Sequence, residues 1–305
     1  MAREHLSRVL LIGNPTAGNG AAAQVIDRAA EWLRARLGAG AVEVVRTAGP
    51  QHAVELARGA QGAGTVVALG GDGVVHEVAS GLLARPADAR PVLGVIPMGS
   101  GNDYARAIGV LGGLDAACDV VLGAEPRPTD AGRANGRFFV ETLSFGLDAA
   151  IALDTVERRV RTGRTGTILY AQAGVDQLLH HLVDRPYRAV FDGEEPVQGR
   201  SITYAVQVGP YYGGGFRICP EAALDDGLLD VCISHPPLGV VRALGLFALA
   251  KGGAHVGFKQ VELRRCETLH VEFDEAPPAQ MDGERIEAST FDVELLPCAL
   301  RVLRP

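Results

Sequence analysis

Long apolar runs, paired cysteines and an excess of positive charge are all missing from this 305-residue chain. The longest apolar stretch, Leu238 to Ala250, is broken by Arg242 and falls short of the roughly 20 residues that a membrane-spanning helix needs. Near the N-terminus the run from Val9 to Gly13 is too short for the core of a signal peptide. Cys118, Cys219, Cys232, Cys266 and Cys298 are scattered without a CxxC pair, and an odd number cannot complete a disulfide set, so a reducing compartment is expected. A formal net charge of -7 leaves no basic surface for neutralising phosphates along a polynucleotide, which argues against a nucleic-acid partner. Internal repeats and low-complexity tracts are absent too. Together these absences point to a cytoplasmic protein, at most transiently associated with a membrane surface.

What the chain does have is apolar content, 47% of residues, enough for a sizeable core and for two domains at this length. From Arg8 to about Gly123, β-rich runs alternate with helical spacing. The runs are Arg8 to Asn14, Val42 to Thr47, Thr65 to Gly70 and Val92 to Pro97; the helical stretches are Ala21 to Leu37, Gln51 to Ala60 and Val74 to Leu83. Continuous apolar strands imply burial on both faces, as in a parallel sheet. After Pro126, strand-like segments, among them Arg137 to Asp148 and Val261 to Asp274, mostly separated by Gly, Pro and Asp, predict a mainly antiparallel unit, interrupted by helices at about Gly166 to Leu182 and Pro237 to Lys251. The expected organisation is an α/β N-terminal domain with a parallel sheet over residues 1–127 and a β-rich C-terminal domain over residues 128–305. A return of the last residues near 305 to the first domain is left open.

Three glycine-rich turns each follow a predicted parallel strand: NPTAGNG (Asn14 to Gly20), GGDG (Gly70 to Gly73) and PMGSGND (Pro97 to Asp103). In an open α/β sheet such turns gather at one edge, and each leads into a helix whose free amides favour an anion. The combination reads as a phosphate-binding site. Neither GxGxxG nor GxxxxGK[ST] is present, which disfavours a dinucleotide dehydrogenase and a Walker-type ATPase. Asp72 among the glycines would repel phosphates unless a divalent cation stood between them, and Mg²⁺ commonly binds through one or two carboxylates plus substrate phosphates. Asp72 as a plain N-cap of the helix from Val74 is the alternative.

GGDGVVHEVASGLL followed by GVIPMGSGND resembles the catalytic domain of the diacylglycerol kinase family, which includes sphingosine kinases and soluble bacterial lipid kinases. The family pattern, NPxSG, GGDGTxxEVxxGL, PxGTxND, DDGLLDV and DGE, is met in order at Asn14 to Gly18, Gly70 to Leu83, Pro97 to Asp103, Asp225 to Val231 and Asp282 to Glu284. Val74, Ala17 and Ser100 depart from the usual Thr, Ser and Thr, and the first loop lacks a basic residue. Each loss of a hydroxyl leaves more of the nucleotide contact to backbone amides.

The resemblance implies an NAD kinase/phosphofructokinase-like first domain and Mg²⁺- and ATP-dependent phosphorylation of a diacylglycerol-like or other long-chain lipid alcohol. It implies nucleotide contacts at Asn14, Pro15, Gly18, Gly70, Gly71, Gly73, Glu77, Gly99, Ser100, Gly101, Asn102 and Asp103. Asp282 is implied as the base, with Glu284 and Asp72 organising the catalytic Mg²⁺, in a cleft between the domains; Asp226 and the Leu228 carbonyl are implied at a structural Mg²⁺. Asp130 could support the site or be an ordinary turn residue. The helix from Leu238 to Lys251 and the cluster Arg158, Arg159, Arg161 and Arg164 suit either peripheral membrane contact or plain packing and solvation. His180 and His181 are adjacent and make a poor metal pair, and His76 stands near the start of the helix after GGDG. An NAD kinase and a non-catalytic nucleotide- or lipid-binding regulator are the alternative functions. Lipid at a membrane surface is the expected partner, and a homodimer is left open.

Overall fold

The computed structural model describes residues 4–164 and 167–305. The chain forms two compact units, Met1–Thr129 with Cys298–Pro305, and Asp130–Pro297.

In the first unit, β1 (Val9–Gly13), α1 (Ala22–Leu37), β2 (Val42–Arg46), α2 (His52–Arg58), β3 (Thr65–Gly70), α3 (Asp72–Leu83), β4 (Val92–Pro97), α4 (Asp103–Ala107) and α5 (Leu114–Gly123) follow one another. The sheet order is β2-β1-β3-β4, all parallel. Val66, Val67, Ala68 and Leu69 of β3 are fully buried, because helices cover both faces of the sheet. Helix α2 approaches α3 so closely that a Cβ on Gly81 would stand 2.4 Å from the Val54 carbonyl oxygen, so only glycine fits there. α4 and α5 are too short or too weakly patterned to have been singled out from the sequence.

The second unit contains most of β5 (Pro126–Ala134), then β6 (Arg137–Phe139), β7 (Thr142–Gly146), α6 (Leu147–Thr162), α7 (Thr167–His180), β8 (Arg185–Phe191), β9 (Val197–Ser201), β10 (Thr203–Gln207), β11 (Tyr211–Tyr212), β12 (Phe216–Arg217), β13 (Leu229–Ser234), α8 (Val240–Ala250), β14 (Val261–Cys266), β15 (Thr268–Phe273), β16 (Ala279–Met281), β17 (Glu284–Ile286) and the first part of β18 (Thr290–Leu303). One antiparallel sheet runs β14-β13-β10-β7-β16-β17, and β18-β15-β8-β9 forms the other. Phe145 and Tyr204 from the first meet Phe273 and Phe291 from the second, with Phe145–Phe291 centroids 4.4 Å apart, and these rings fill the sandwich. In the first unit, β18 near Val302 lies parallel beside Leu93 of β4.

Two sequence expectations need correcting in this unit. Leu147 and Asp148, read as the end of a strand, open helix α6, which the sequence reading lacks altogether. Gly146 has φ 76°, a left-handed turn that lets the chain leave β7 and enter the helix. The stretch from Val261 to Phe273 is two strands in different sheets, joined around Glu267. Gly166, where the predicted second-unit helix begins, lies outside the described residues.

Candidate functional site

In the first unit the three glycine loops come together. The Asn14 amide donates to the Leu69 carbonyl (3.2 Å) and the Met98 amide to the Gly70 carbonyl (2.6 Å), tying the ends of β1, β3 and β4. A Cβ on Gly99 would stand 2.4 Å from Gly71 Cα, so the second and third loops touch backbone to backbone and need glycine on both sides. Gly18, with φ 57°, brings the first loop beside Met98. Asn14 Oδ1 accepts from the Thr16 amide and hydroxyl (2.9 and 2.8 Å), an Asx turn that shapes the first loop, with Pro15 at its bend. Asn102, itself left-handed at φ 55°, accepts from the Gly99 amide (2.8 Å) and donates back to its carbonyl (2.9 Å), enclosing Ser100 and Gly101. Gly18, Gly73 and Ser100 are exposed, which leaves this edge open to a ligand.

Asp72 is the first residue of α3, and Gly71, in extended backbone, is its N-cap. The plain N-cap reading of Asp72 therefore fails. Its Oδ1 accepts the Tyr104 amide at the start of α4 (3.3 Å), which sets the carboxylate at two helix beginnings. Asp103, buried at the start of α4, brings a carboxylate oxygen within 4.8 Å of one from Asp72. Two hard oxygen donors this close suit one divalent cation. Glu77 is directed elsewhere: its two oxygens accept the Gln51 and Ala53 amides (3.0 and 3.1 Å) and cap α2. Val74, where the family usually has Thr, fills the space above Gly70, whose added Cβ would stand 2.7 Å from a Val74 methyl. His76 is buried within α3.

In the second unit, Asp282 sits on the β16–β17 hairpin at φ 45°, followed by Gly283 at φ 89°. Two successive left-handed residues make the primed turn that Asp-Gly favours. Its carboxylate accepts three backbone amides: Val140 (2.8 Å) on Oδ2, and Glu141 (3.0 Å) and Thr142 (2.8 Å) on Oδ1. Glu284 pairs with Arg137 at 2.5 Å. Asp130 Oδ2 accepts the Gly227 amide (2.9 Å), which gives it a structural part in the DDGLLDV loop.

At that loop Asp226 Oδ1 accepts the Leu228 amide (3.2 Å), and its Oδ2 faces the Arg265 guanidinium (3.1 Å), which also holds Asp230 (3.0 Å) and the Glu221 carbonyl (3.1 Å). Burial raises the Asp230 carboxyl, against the lowering effect of Arg265. The position implied for a structural Mg²⁺ is thus served by a guanidinium, and Asp226 belongs to no carboxylate cluster close enough to share an ion among the described residues. This arrangement does not fit a bound cation as well as it fits arginine.

A feature without any sequence signal lies deeper in the second unit. A cavity of about 90 Å³ is lined by α6, α7, α8 and strand residues, including Ile151, Tyr170, Phe216, Leu246 and Phe247. The Tyr170, Phe216 and Phe247 rings cluster in its wall, Tyr170 stacked with Phe247 and Phe216 tilted against both, with Phe216–Phe247 centroids 4.9 Å apart. Its polar lining includes Asp148, His255, Cys232, Thr203 and Ser234. Burial pushes the Asp148 carboxyl up to about 7, opposed by a hydrogen bond with Ser144, and Oδ2 finds no partner among the described residues. Burial lowers His255 and, with Asp148, pushes the Cys232 thiol up to about 12. The space holds a few waters or methylene groups, is walled mostly by hydrocarbon and carries a buried carboxyl, which suits the end of an apolar chain and not a whole ligand.

The diacylglycerol kinase catalytic domain model matches residues 8–134, and the YegS C-terminal NAD kinase beta sandwich-like domain model matches residues 141–304. A diacylglycerol kinase of Mycobacterium tuberculosis is 33% identical, over all of this chain and 97% of its own length. A crystal structure of a diacylglycerol kinase from Bacillus anthracis shares the fold with a TM-score of 0.76 at 21% identity, covering 98% of this chain and 97% of that one. An NAD kinase from Archaeoglobus fulgidus, solved in complex with ATP, has a TM-score of 0.53 at 12% identity over 97% of this chain and 93% of that one, a likeness of fold alone. With ordered matches across both units and a full-length relative at this identity, the chain belongs to the diacylglycerol kinase catalytic-domain family of lipid kinases.

Proposed function

We propose that this lipid kinase transfers the γ-phosphoryl group of ATP to the hydroxyl of a diacylglycerol-like or other long-chain lipid alcohol. The observation that carries the acceptor class is the apolar cavity of the second unit with Asp148 in its wall. The NAD kinase alternative keeps only its resemblance of fold, and a nicotinamide dinucleotide has no hydrocarbon chain to enter an apolar-walled cavity.

The first unit supplies the donor end. Exposed backbone at Gly18, Gly73 and Ser100 faces the phosphates, and the Gly71–Gly99 contact keeps the second and third loops close. Asp72 and Asp103 would hold Mg²⁺, which when bound there neutralises the charge that develops on the transferring phosphoryl oxygens. Asp282 is the acceptor-side base. Three backbone amides hold its carboxylate in one orientation. The lipid oxygen forms a bond to the γ-phosphorus, the bond to the bridging oxygen breaks to release ADP, and the hydroxyl proton passes to Asp282. Arg137 holds Glu284 beside it.

The test supplies purified protein with ATP labelled at the γ-position, Mg²⁺, and separate acceptors: diacylglycerol, other long-chain alcohols and NAD. Label in a lipid is expected. Label in NADP and in no lipid overturns the proposal. Ala243→Phe, which narrows the cavity from α8, is expected to raise KM for long-chain acceptors more than for short-chain ones.

A further inference from the structure

Helix α8 has two apolar faces. Ala243, Leu246 and Ala250 line the cavity on one. On the other, Val241 is 87% exposed, and Leu249 and Phe258 are exposed beside it along an open groove. Helix α7 packs against α8 so closely that a Cβ on Gly174 would stand 2.3 Å from the Phe247 ring. It too shows an outward stripe, Ile168 (75% exposed), Val175 and Leu179, at i, i+7 and i+11. Helix α6 adds Val160, 83% exposed, with Val156 one turn before it. Exposed valine, isoleucine, leucine and phenylalanine gathered on three neighbouring helices exceed the single apolar side chains normal on a protein surface.

Charge around these stripes runs against the charge of the chain. The acidic side chains there are engaged: Asp154 and Asp176 with Arg158, and Glu157 with Arg285. Arg159, Arg161 and Arg164 near the end of α6, Arg242 on α8 and Lys259 next to Phe258 are exposed and have no acidic partner among the described residues. A protein of formal net charge -7 thus carries a local field of the opposite sign where its apolar side chains are bare.

We propose that the outward faces of α6, α7 and α8 are a docking surface for an anionic lipid bilayer, from which the end of an acyl chain reaches the cavity beside α8. Apolar side chains entering the interface between flanking cations are the chemistry of interfacial helices. Helix α8 would then touch bilayer on one face and bound lipid on the other. This inference rests on the lipid-acceptor reading above and assigns the surface through which that acceptor arrives.

The experiment is co-sedimentation of the full chain with phosphatidylcholine vesicles, with and without phosphatidylglycerol, beside kinase assays on a dispersed short-chain diacylglycerol. Wild type is expected to bind the phosphatidylglycerol vesicles and to leave them as salt rises. Val241→Asp and Ile168→Asp are each expected to weaken binding about tenfold or more, and the double change Arg159→Glu with Arg161→Glu to do so on anionic vesicles alone. All are expected to retain activity on the short-chain acceptor. Wild type that binds neither vesicle, or variants that bind as wild type does, overturn the docking surface. So does a wild-type dimer in size-exclusion chromatography that Val241→Asp or Ile168→Asp splits, since the face would then belong to a second copy. The two readings fail separately: vesicle binding without any lipid phosphorylation removes the acceptor reading, and short-chain phosphorylation without vesicle binding removes only the surface.

Discussion

At the glycine edge of the first unit, the groups offered to a ligand are mostly backbone, and side chains such as Asn14 and Asn102 fold inward to hold the loops in shape. In the second unit the arrangement is reversed. Backbone amides turn toward a side chain, three of them onto the Asp282 carboxylate, while Asp148 and His255 stand in a wall of hydrocarbon. One region presents many weak, fixed dipoles at an open edge; the other places a few carboxylates in set environments. The contrast predicts that changes in the first unit reduce turnover with little effect on folding, whereas changes in the second move stability as well.

The largest effect tests the first half of that contrast. Asp72→Asn removes one of two close carboxylates at the beginnings of α3 and α4 while keeping its shape and its ability to accept the Tyr104 amide. Turnover is expected to fall by about 10²- to 10⁴-fold, the range typical of losing a positioned catalytic group. The thermal midpoint should stay within a few degrees. A variant that loses its fold, or keeps full kcat, would erase the distinction between the two units.

Next in size is a pH effect on the second unit. Burial raises the Asp148 carboxyl to about 7 in the folded protein, from about 3.9 in an unfolded chain. Between those values the folded state binds more protons, so this group's contribution is fully present below about pH 4 and is lost as pH rises through about 7. The span of about 3 units corresponds to something of order 4 kcal/mol. Asp148→Asn should therefore flatten the fall in unfolding free energy between pH 5 and 8, and gain stability over wild type at pH 8. Parallel urea melts at the two pH values measure it; parallel slopes for the two proteins would count against the buried acid.

How legible each unit was follows from the same contrast. Turn chemistry is local, so GGDG and PMGSGND announced strand, loop and helix in order, and β3 and β4 begin and end where the apolar runs do. The cavity is assembled from α6, α7, α8 and strands far apart in the chain, and no single stretch between Leu147 and Val261 signals it. Asp148 ends a stretch, Arg137 to Asp148, that reads as strand from its residues; only the turn at Gly146, with φ 76°, makes it a helix residue in a wall. Glu77 matched a family position by spacing, but the approach of α2 to α3 turns it toward the Gln51 and Ala53 amides, a tertiary fact invisible in the motif. Val74, in α3 where the family usually has Thr, packs beside Gly70 in the space a Cβ there would take.

Asp282→Asn should affect both properties, where Asp72→Asn affects one. Replacing a carboxylate oxygen by an NH₂ group turns a donor toward the amides of residues 140–142, so at least one loses its acceptor. The expected cost is about 2 to 3 kcal/mol of unfolding free energy, together with loss of turnover. Chemical denaturation and kcat on the same preparation separate the outcomes: lost turnover at unchanged stability would make Asp282 a purely chemical residue, and lost stability at unchanged turnover would remove it as the base.

The smallest effect is expected where the family pattern implies a second metal. Arg265 already supplies positive charge to Asp226 and Asp230, so chelating divalent ions should stop phosphoryl transfer yet leave the thermal midpoint unchanged within about a degree. Arg265→Gln leaves Asp230, whose carboxyl burial already raises, without its partner. Because the guanidinium is itself nearly half exposed, the penalty should be only about 1 to 2 kcal/mol, well below that of breaking a fully buried pair. Two observations would reverse the assignment: a midpoint in wild type that falls on chelation, or an Arg265→Gln protein that Mg²⁺ restores to wild-type stability. Either would place an ion among Asp226, Leu228 and their neighbours, and would make this loop resemble the Asp72 and Asp103 pair of the first unit rather than contrast with it.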